Sequence, residues 1–375
     1  MTEIKTKESS RILTFDLMRG YFMLSIILNH LYWYPNGLDW ISARGDMFIT
    51  AAEGFFLISG IVLGIVRGRK LINKPFSFAA SLLLKRSVQL YITSVVLMLM
   101  FTLLGWWLFM DNPGLKPGIR PIDEPFWQVL TGALSFKYLY GWADYLRLYS
   151  LFLLFSPLAL WLLRKGKWYI VIVASLFVYS LYPLVGNANT TPELLMPIAW
   201  QLIFFSGFVI GFHWDQITHW WRALSNRVKR PTVVVIISLA TVTLLANLVI
   251  VFDIQVLGLT AQATTSARET LLPMFVKESL PIPRLLLFSL WFGAAFWLFR
   301  RFETYINKYF GWLILTFGVN SLYVYTIHAF IVFFAHMLMV GTDNGLIANL
   351  VGTVIVIGLI WLAVRYRILM NIIPR

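Results

Sequence analysis

The chain has 375 residues, 59% of them hydrophobic and only 13% charged, where a soluble domain carries about 25% charged residues. That balance excludes one soluble core and resolves into apolar stretches of about 20 residues, each able to cross a bilayer core of about 30 Å. The formal net charge is +14 and there is no cysteine, so thiol nucleophiles, disulfides and thiolate metal sites are excluded.

Ten spans are expected, at about 13–34, 46–66, 87–109, 145–163, 168–185, 197–213, 232–252, 281–299, 312–339 and 345–365. With the N-terminus inside, most of the 31 basic residues fall on the cytoplasmic side, so both termini are expected there. The positive charge is thereby topological, and nucleic acid is not an expected partner. Residues 1–12 read as a cytoplasmic tail rather than a cleaved leader, because Asp16 and Arg19 interrupt the apolar run that follows. The expected fold is an all-α polytopic membrane protein, a single transmembrane domain over 1–375 in the plasma membrane, surrounded by lipid.

The first span holds Asp16, Arg19 and His30. Ionisable groups at this depth are costly and are functional suspects by default. Arg19 and His30 are eleven residues apart, about 20° from three full turns, so they share one helical face about 16 Å apart along the axis. A passage lined by both would admit one substrate from each side. The plainer reading is that each snorkels to its own interface. In the second span, Glu53 enters from the outer side and could orient His30, as the acid does in a catalytic triad; an ion pair with Arg19 or another base is the structural alternative. Ser59 follows in Phe55-Phe56-Leu57-Ile58-Ser59-Gly60.

Arg69, Lys70, Lys85 and Arg86 gather at the inner mouth of the second and third spans, where cations suit phosphates. The stretch 110–144 is external, turn-rich at first and then amphipathic from Phe126 to Tyr140, as in an interfacial or re-entrant helix. The sequon Asn189-Thr190-Thr191 faces outward. Tyr149, Gln201, Asn320 and Ser321 are polar residues in or beside later spans, where interhelical hydrogen bonding is the default reading. His328 reads as mainly structural. His213, His219 and His336 show no metal-ligand spacing, and no metal is expected.

Arg19, ten residues and His30 together resemble the Arg-x10-His motif of the acyltransferase-3 superfamily, and Phe55 to Gly60 resembles its Phe-Phe-x-x-Ser-Gly signature. The nearest likeness is to the OpgC-type branch, named for succinyl modification of osmoregulated periplasmic glucans. It rests on Glu53 after Ala51-Ala52, Lys85-Arg86 with Tyr91, Leu148-Tyr149 with Ser156-Pro157, Trp200-Gln201 with Gly207, and Gly318 to Leu322. These blocks cover about 15–330; Asn320 departs from the His expected before the Ser-Leu pair, which bears on substrate more than on chemistry.

The resemblance implies ten or eleven helices around a central cavity. It implies acetyl-CoA or succinyl-CoA as a cytoplasmic co-substrate, with no tightly bound cofactor, and an outer carbohydrate hydroxyl as acceptor. His30 is then the expected general base, Glu53 its orienting acid and Arg19 the group that positions the thioester. Asp16, Ser59, Tyr149, Gln201, Asn320 and Ser321 are expected to line the cavity. The competing class is a transporter or flippase for a glycan or lipid-linked sugar, using the same charges as a proton relay. No internal repeat is seen, which weighs against it.

Overall fold

The computed structural model describes residues 12–112, 114, 119–138, 142, 144–185, 192–255, 260–339, 344–371 and 373. The N-terminal tail to residue 11, parts of the 110–144 stretch and the Asn189 sequon lie outside the described residues. The principal helices are α1 (Leu13–Leu31), α2 (Ala51–Leu63), α3 (Phe76–Leu108), α4 (Phe126–Leu134), α5 (Asp144–Arg164), α6 (Trp168–Ser180), α7 (Pro192–Phe212) and α8 (Trp214–Ala223). They continue as α9 (Asn226–Val251), α10 (Ala261–Leu271), α11 (Ile282–Arg301), α12 (Glu303–Phe310), α13 (Ile314–Val319), α14 (Ser321–Leu338) and α15 (Leu346–Arg365). No strand occurs among the described residues.

Nine helices among the described residues are long and apolar enough to cross a membrane, the architecture of a multi-pass membrane protein. They coincide with nine of the ten expected spans. The tenth, α1, has 19 residues and falls short on apolarity, because Asp16, Arg19, Asn29 and His30 lie along it. It is nonetheless central, packing against α2, α11, α13 and α14.

Two boundaries differ from expectation. The third span was expected to begin at 87, but α3 begins at Phe76 behind Pro75 and runs for 33 residues, about 50 Å. Pro75 supplies a fixed φ at the helix start, and the helix outruns the bilayer core. Lys85 and Arg86 therefore sit within α3, not at its mouth. The expected span 312–339 is broken at Asn320, whose backbone (φ −109°, ψ 25°) leaves the helix. Its side-chain amide donates to the Thr316 carbonyl at 3.0 Å, so the break satisfies a group that the helix would otherwise orphan.

Close backbone contact organises the bundle. On α2, a Cβ at Gly60 or Gly64 would stand 2.2 Å from the Phe204 carbonyl oxygen or 2.4 Å from that of Phe208; on α7, one at Gly207 or Gly211 would stand 2.4 Å from that of Leu57 or 2.0 Å from that of Ile61. Two glycine pairs at four-residue spacing thus face each other, and only hydrogen fits between the backbones. In lipid there is no hydrophobic drive between helices, so such close packing supplies the attraction. The same device presses α1 onto α13, where Gly20 meets Ile314 and Gly318 meets Asp16.

Past Leu63, α2 widens into a π-helical turn, Gly64–Arg69, carrying Arg67 and Arg69. The expected amphipathic segment after Phe126 forms α4, with Val129, Gly132 and Ala133 buried and Phe126 and Trp127 exposed. The Tyr91 hydroxyl donates to the Leu134 carbonyl at 2.8 Å and ties α4 to α3.

Candidate active site

The sequence places Arg19 and His30 on one face of α1, and the structure turns that face to α14. Arg19 donates through Nη2 to the Ser321 hydroxyl, and its guanidinium lies 5.7 Å from the centre of the Phe55 ring. Eleven residues on, Nδ1 of His30 lies 2.9 Å from Nε2 of His328. Helices α1 and α14 therefore run parallel, joined by one polar bridge at each level.

The second bridge fixes the imidazole tautomers. Nδ1 of His328 faces the Tyr325 carbonyl oxygen. A carbonyl only accepts, so Nδ1 of His328 carries its hydrogen and, with the ring neutral, Nε2 is an acceptor. Nδ1 of His30 must then donate to it, which leaves the lone pair of neutral His30 on Nε2. A carbonyl, a fully buried imidazole and a half-buried imidazole form one chain, and its far end is a base. Nε2 of His336 donates to the His30 carbonyl at 3.0 Å, satisfying a carbonyl at the end of α1. Trp142 stacks on the His336 ring at 5.0 Å.

Glu53 is not the group that orients His30 through these bonds. Its carboxylate, fully buried, accepts from Arg284 Nε at 2.7 Å and also from Arg284 Nη2. Its other oxygen accepts from the Thr50 amide at 3.1 Å and the Thr50 hydroxyl at 2.5 Å. Glu53 closes the start of α2 as a capping residue and anchors α11 to it. Arg284 also donates to the Phe275 carbonyl at 2.6 Å. The ion-pair alternative is the one realised, with Arg284 as the base.

Gln201 spends its amide between α7 and α6: Nε2 donates to the Ser175 carbonyl at 2.7 Å, and Oε1 accepts from the Ser175 hydroxyl at 2.7 Å. Ser321 is drawn into the site by Arg19, whereas Asn320 caps the helix break. Asp16 lies at the α1–α13 crossing, where its carbonyl meets Gly318. The Ser59 hydroxyl is buried with no hydrogen-bond partner among the described residues.

The basic group divides. Arg69 pairs with Asp215 at 2.5 Å, with both side chains substantially exposed. Such a surface pair contributes about 0–1 kcal/mol. Lys70 and Lys85 are exposed. Arg86 is half-buried, donates to Gln89 at 2.7 Å and stands within electrostatic range of Arg67 and Tyr149. Tyr149 packs edge-on against Phe204. Arg67 joins this group without having been singled out in the sequence, although it lies on the π-helical turn.

A second set gathers beside the imidazole chain. The Tyr325 hydroxyl bonds Asp144 Oδ1 at 3.3 Å, and the Tyr325 ring lies 5.0 Å from that of His328. Lys277, in the segment before α11, sits 5.5 Å over the Tyr145 ring. Its ammonium is held well above the ordinary lysine range, first by Tyr145 and then, against the cost of burial, by Asp144 and Glu53. Lys277 is therefore a fixed cation near the two carboxylates. The sequence reads His328 as mainly structural and does not single out Asp144 and Lys277, because each is a single polar residue beside an apolar run and nothing local pairs them. No group of three or more side chains suited to a metal occurs among the described residues.

No curated protein and no solved structure matches the chain. A family model described as OpgC protein matches residues 11–371, a stretch that takes in both polar bridges between α1 and α14, the buried Glu53–Arg284 pair and the Arg86 group; the chain belongs to the OpgC family.

Proposed function

We propose that this protein transfers an acyl group, acetyl or succinyl, from acyl-CoA to a hydroxyl of a carbohydrate outside the membrane. Membership of the OpgC family supports a transferase role in glucan modification at the membrane. The observation that carries the finer reading is the chain from the Tyr325 carbonyl through His328 to His30, because it holds His30 in the tautomer a general base requires.

In this reading Nε2 of His30 takes the proton of the acceptor hydroxyl. The oxygen bonds to the thioester carbonyl carbon, the carbon–sulfur bond breaks, and the proton returns to the departing thiolate. His328 is a positioning residue, doing for His30 what an acid does in a triad. Arg19, steadied by Ser321, positions the arm that carries the thioester towards His30. The Ser59 hydroxyl supplies a further polar contact. Arg67 and Arg86, with Lys70 and Lys85 nearer the surface, receive the phosphates of CoA. Lys277, Asp144 and Tyr145 offer hydrogen-bonding groups for the sugar.

The test is mass spectrometry of cell-surface glycans from cells with and without the protein. A mass difference of one acetyl or succinyl unit, lost in His30→Ala cells, is the expected result. Identical glycans from both cells, with transport of a lipid-linked sugar in proteoliposomes, would replace acyl transfer with the flippase reading.

A further inference from the structure

A cavity of about 340 Å³ lies between α1, the start of α2, α9 and α11, a volume typical of ligand pockets. On α1 it is lined by Tyr21, Phe22, Ser25 and Asn29, a face turned roughly 110° from the Arg19–His30 face. Neither Arg19 nor His30 lines it. It is therefore a site apart from the imidazole chain.

Its body is apolar, with Ile237, Ala240 and Leu244 on α9 facing Phe288, Phe292 and Ala295 on α11. Tyr21, Ser25, Thr50 and Thr241 add isolated polar groups along its wall.

Polar groups collect at one end. Asn29 and Ser42 line the cavity there beside Gly45, and the Tyr34 hydroxyl donates to Oδ1 of the Asn29 side chain at 3.2 Å. The C-terminal end of α9 reaches the same level, because the Arg44 guanidinium lies 5.4 Å over the Phe252 ring. The outer faces of α9 and α11 are exposed and apolar, as at Leu239, Val242 and Leu286, so the cavity stands one helix away from bilayer lipid.

We propose that this cavity holds one acyl chain of a bilayer phospholipid, with the chain along Ile237, Ala240 and Leu244 and the ester region at Asn29 and Ser42. A chain from the surrounding bilayer fills the void at little cost, because lipid tails are as apolar as the lining. The ester oxygens meet the polar end. The site is independent of the acyl-transfer reading.

The full chain is reconstituted in phospholipid nanodiscs doped with a phosphatidylcholine that carries a diazirine in its acyl chain. After photolysis, adducts are mapped by peptide mass spectrometry. Adducts on Ala240, Leu244, Phe292 and Ala295, beside those on the lipid-facing Leu239 and Val242, are expected. Adducts confined to Leu239, Val242 and Leu286 would overturn the proposal from the unaltered protein alone. Ala240→Phe, or Ala295→Phe where the first does not assemble, fills the cavity. It should cut labelling of α11 cavity residues about tenfold, equivalent to 1.4 kcal/mol, and leave Leu286 labelled as before. Unchanged cavity labelling in the filled variant would also overturn it. A diazirine-bearing isoprenyl phosphate is the second arm: labelling of the cavity by it and not by the phospholipid would reject the phospholipid assignment.

Discussion

Nδ1 of His328 can bond the Tyr325 carbonyl only as a donor, and this one constraint sets the protonation pattern as far as His30. His30→Ala should lower acyl transfer by about 10²–10⁴-fold, the usual contribution of a general base, with acyl-CoA binding retained. More than about a tenth of the original turnover at matched protein level, a loss smaller than that range, would exclude His30 as the base. His328→Leu removes the acceptor and should lower turnover with little change in the KM for acyl-CoA. His328→Gln keeps an acceptor oxygen near Nε2 and should restore part of the loss. If Leu and Gln act alike, His328 is only packing. Glu53 and Arg284 belong to a different ledger, because removing one partner of a buried pair costs about 3–5 kcal/mol. Glu53→Gln should therefore lower the thermal stability of the detergent-solubilised protein. A catalytic Glu53 would instead show an unchanged melting temperature and lost turnover. The Arg-x10-His spacing was readable because a helix has a fixed period. His328 and Arg284 were not, since each lies more than 200 residues from its partner, by 298 and 231 positions, and no local pattern encodes that pairing.

At the scale of elements, the helices were legible because a bilayer sets their length, while their ends were not. Ile282–Arg301 lies within a few residues of expectation, since apolarity alone delimits it, and Leu13–Leu31 does so despite the polar residues along it. Phe76–Leu108 overran because its first turns are helical without being in the apolar run, and Asn320 broke a span that hydropathy joins. The α2–α7 crossing gives a sharp prediction. At Gly60 a Cβ would stand 2.2 Å from a backbone oxygen that cannot move aside, whereas at Gly358 on α15 nothing lies within 4 Å. Gly60→Ala should markedly reduce recovery of folded protein from membranes. Gly358→Ala should be neutral or slightly stabilising, by up to about 1 kcal/mol, because alanine favours helix over glycine. Thermal unfolding of the two variants in one detergent decides it, and equal behaviour would remove the close crossing from the account.

For the whole molecule, the basic-residue bias predicts an inside location for both termini. Reporter fusions after Arg69 and after Lys229 should report the cytoplasm, and one after Asn112 the outside. A single inverted signal would break the ten-span arrangement, in which α1 counts as a span although its polar residues keep it less apolar than the others. That polarity has a consequence for biogenesis. The groups on α14 that receive Arg19 and His30 are separated from them by 302 and 298 positions. During synthesis at about 5–20 residues per second, about 15–60 s therefore pass before Ser321 and His328 follow α1 out of the ribosome. A nascent or C-terminally truncated chain carries the motif but not the site, and α1 there is the segment most exposed to membrane quality control. On the proposed function, activity therefore requires a chain complete through α14.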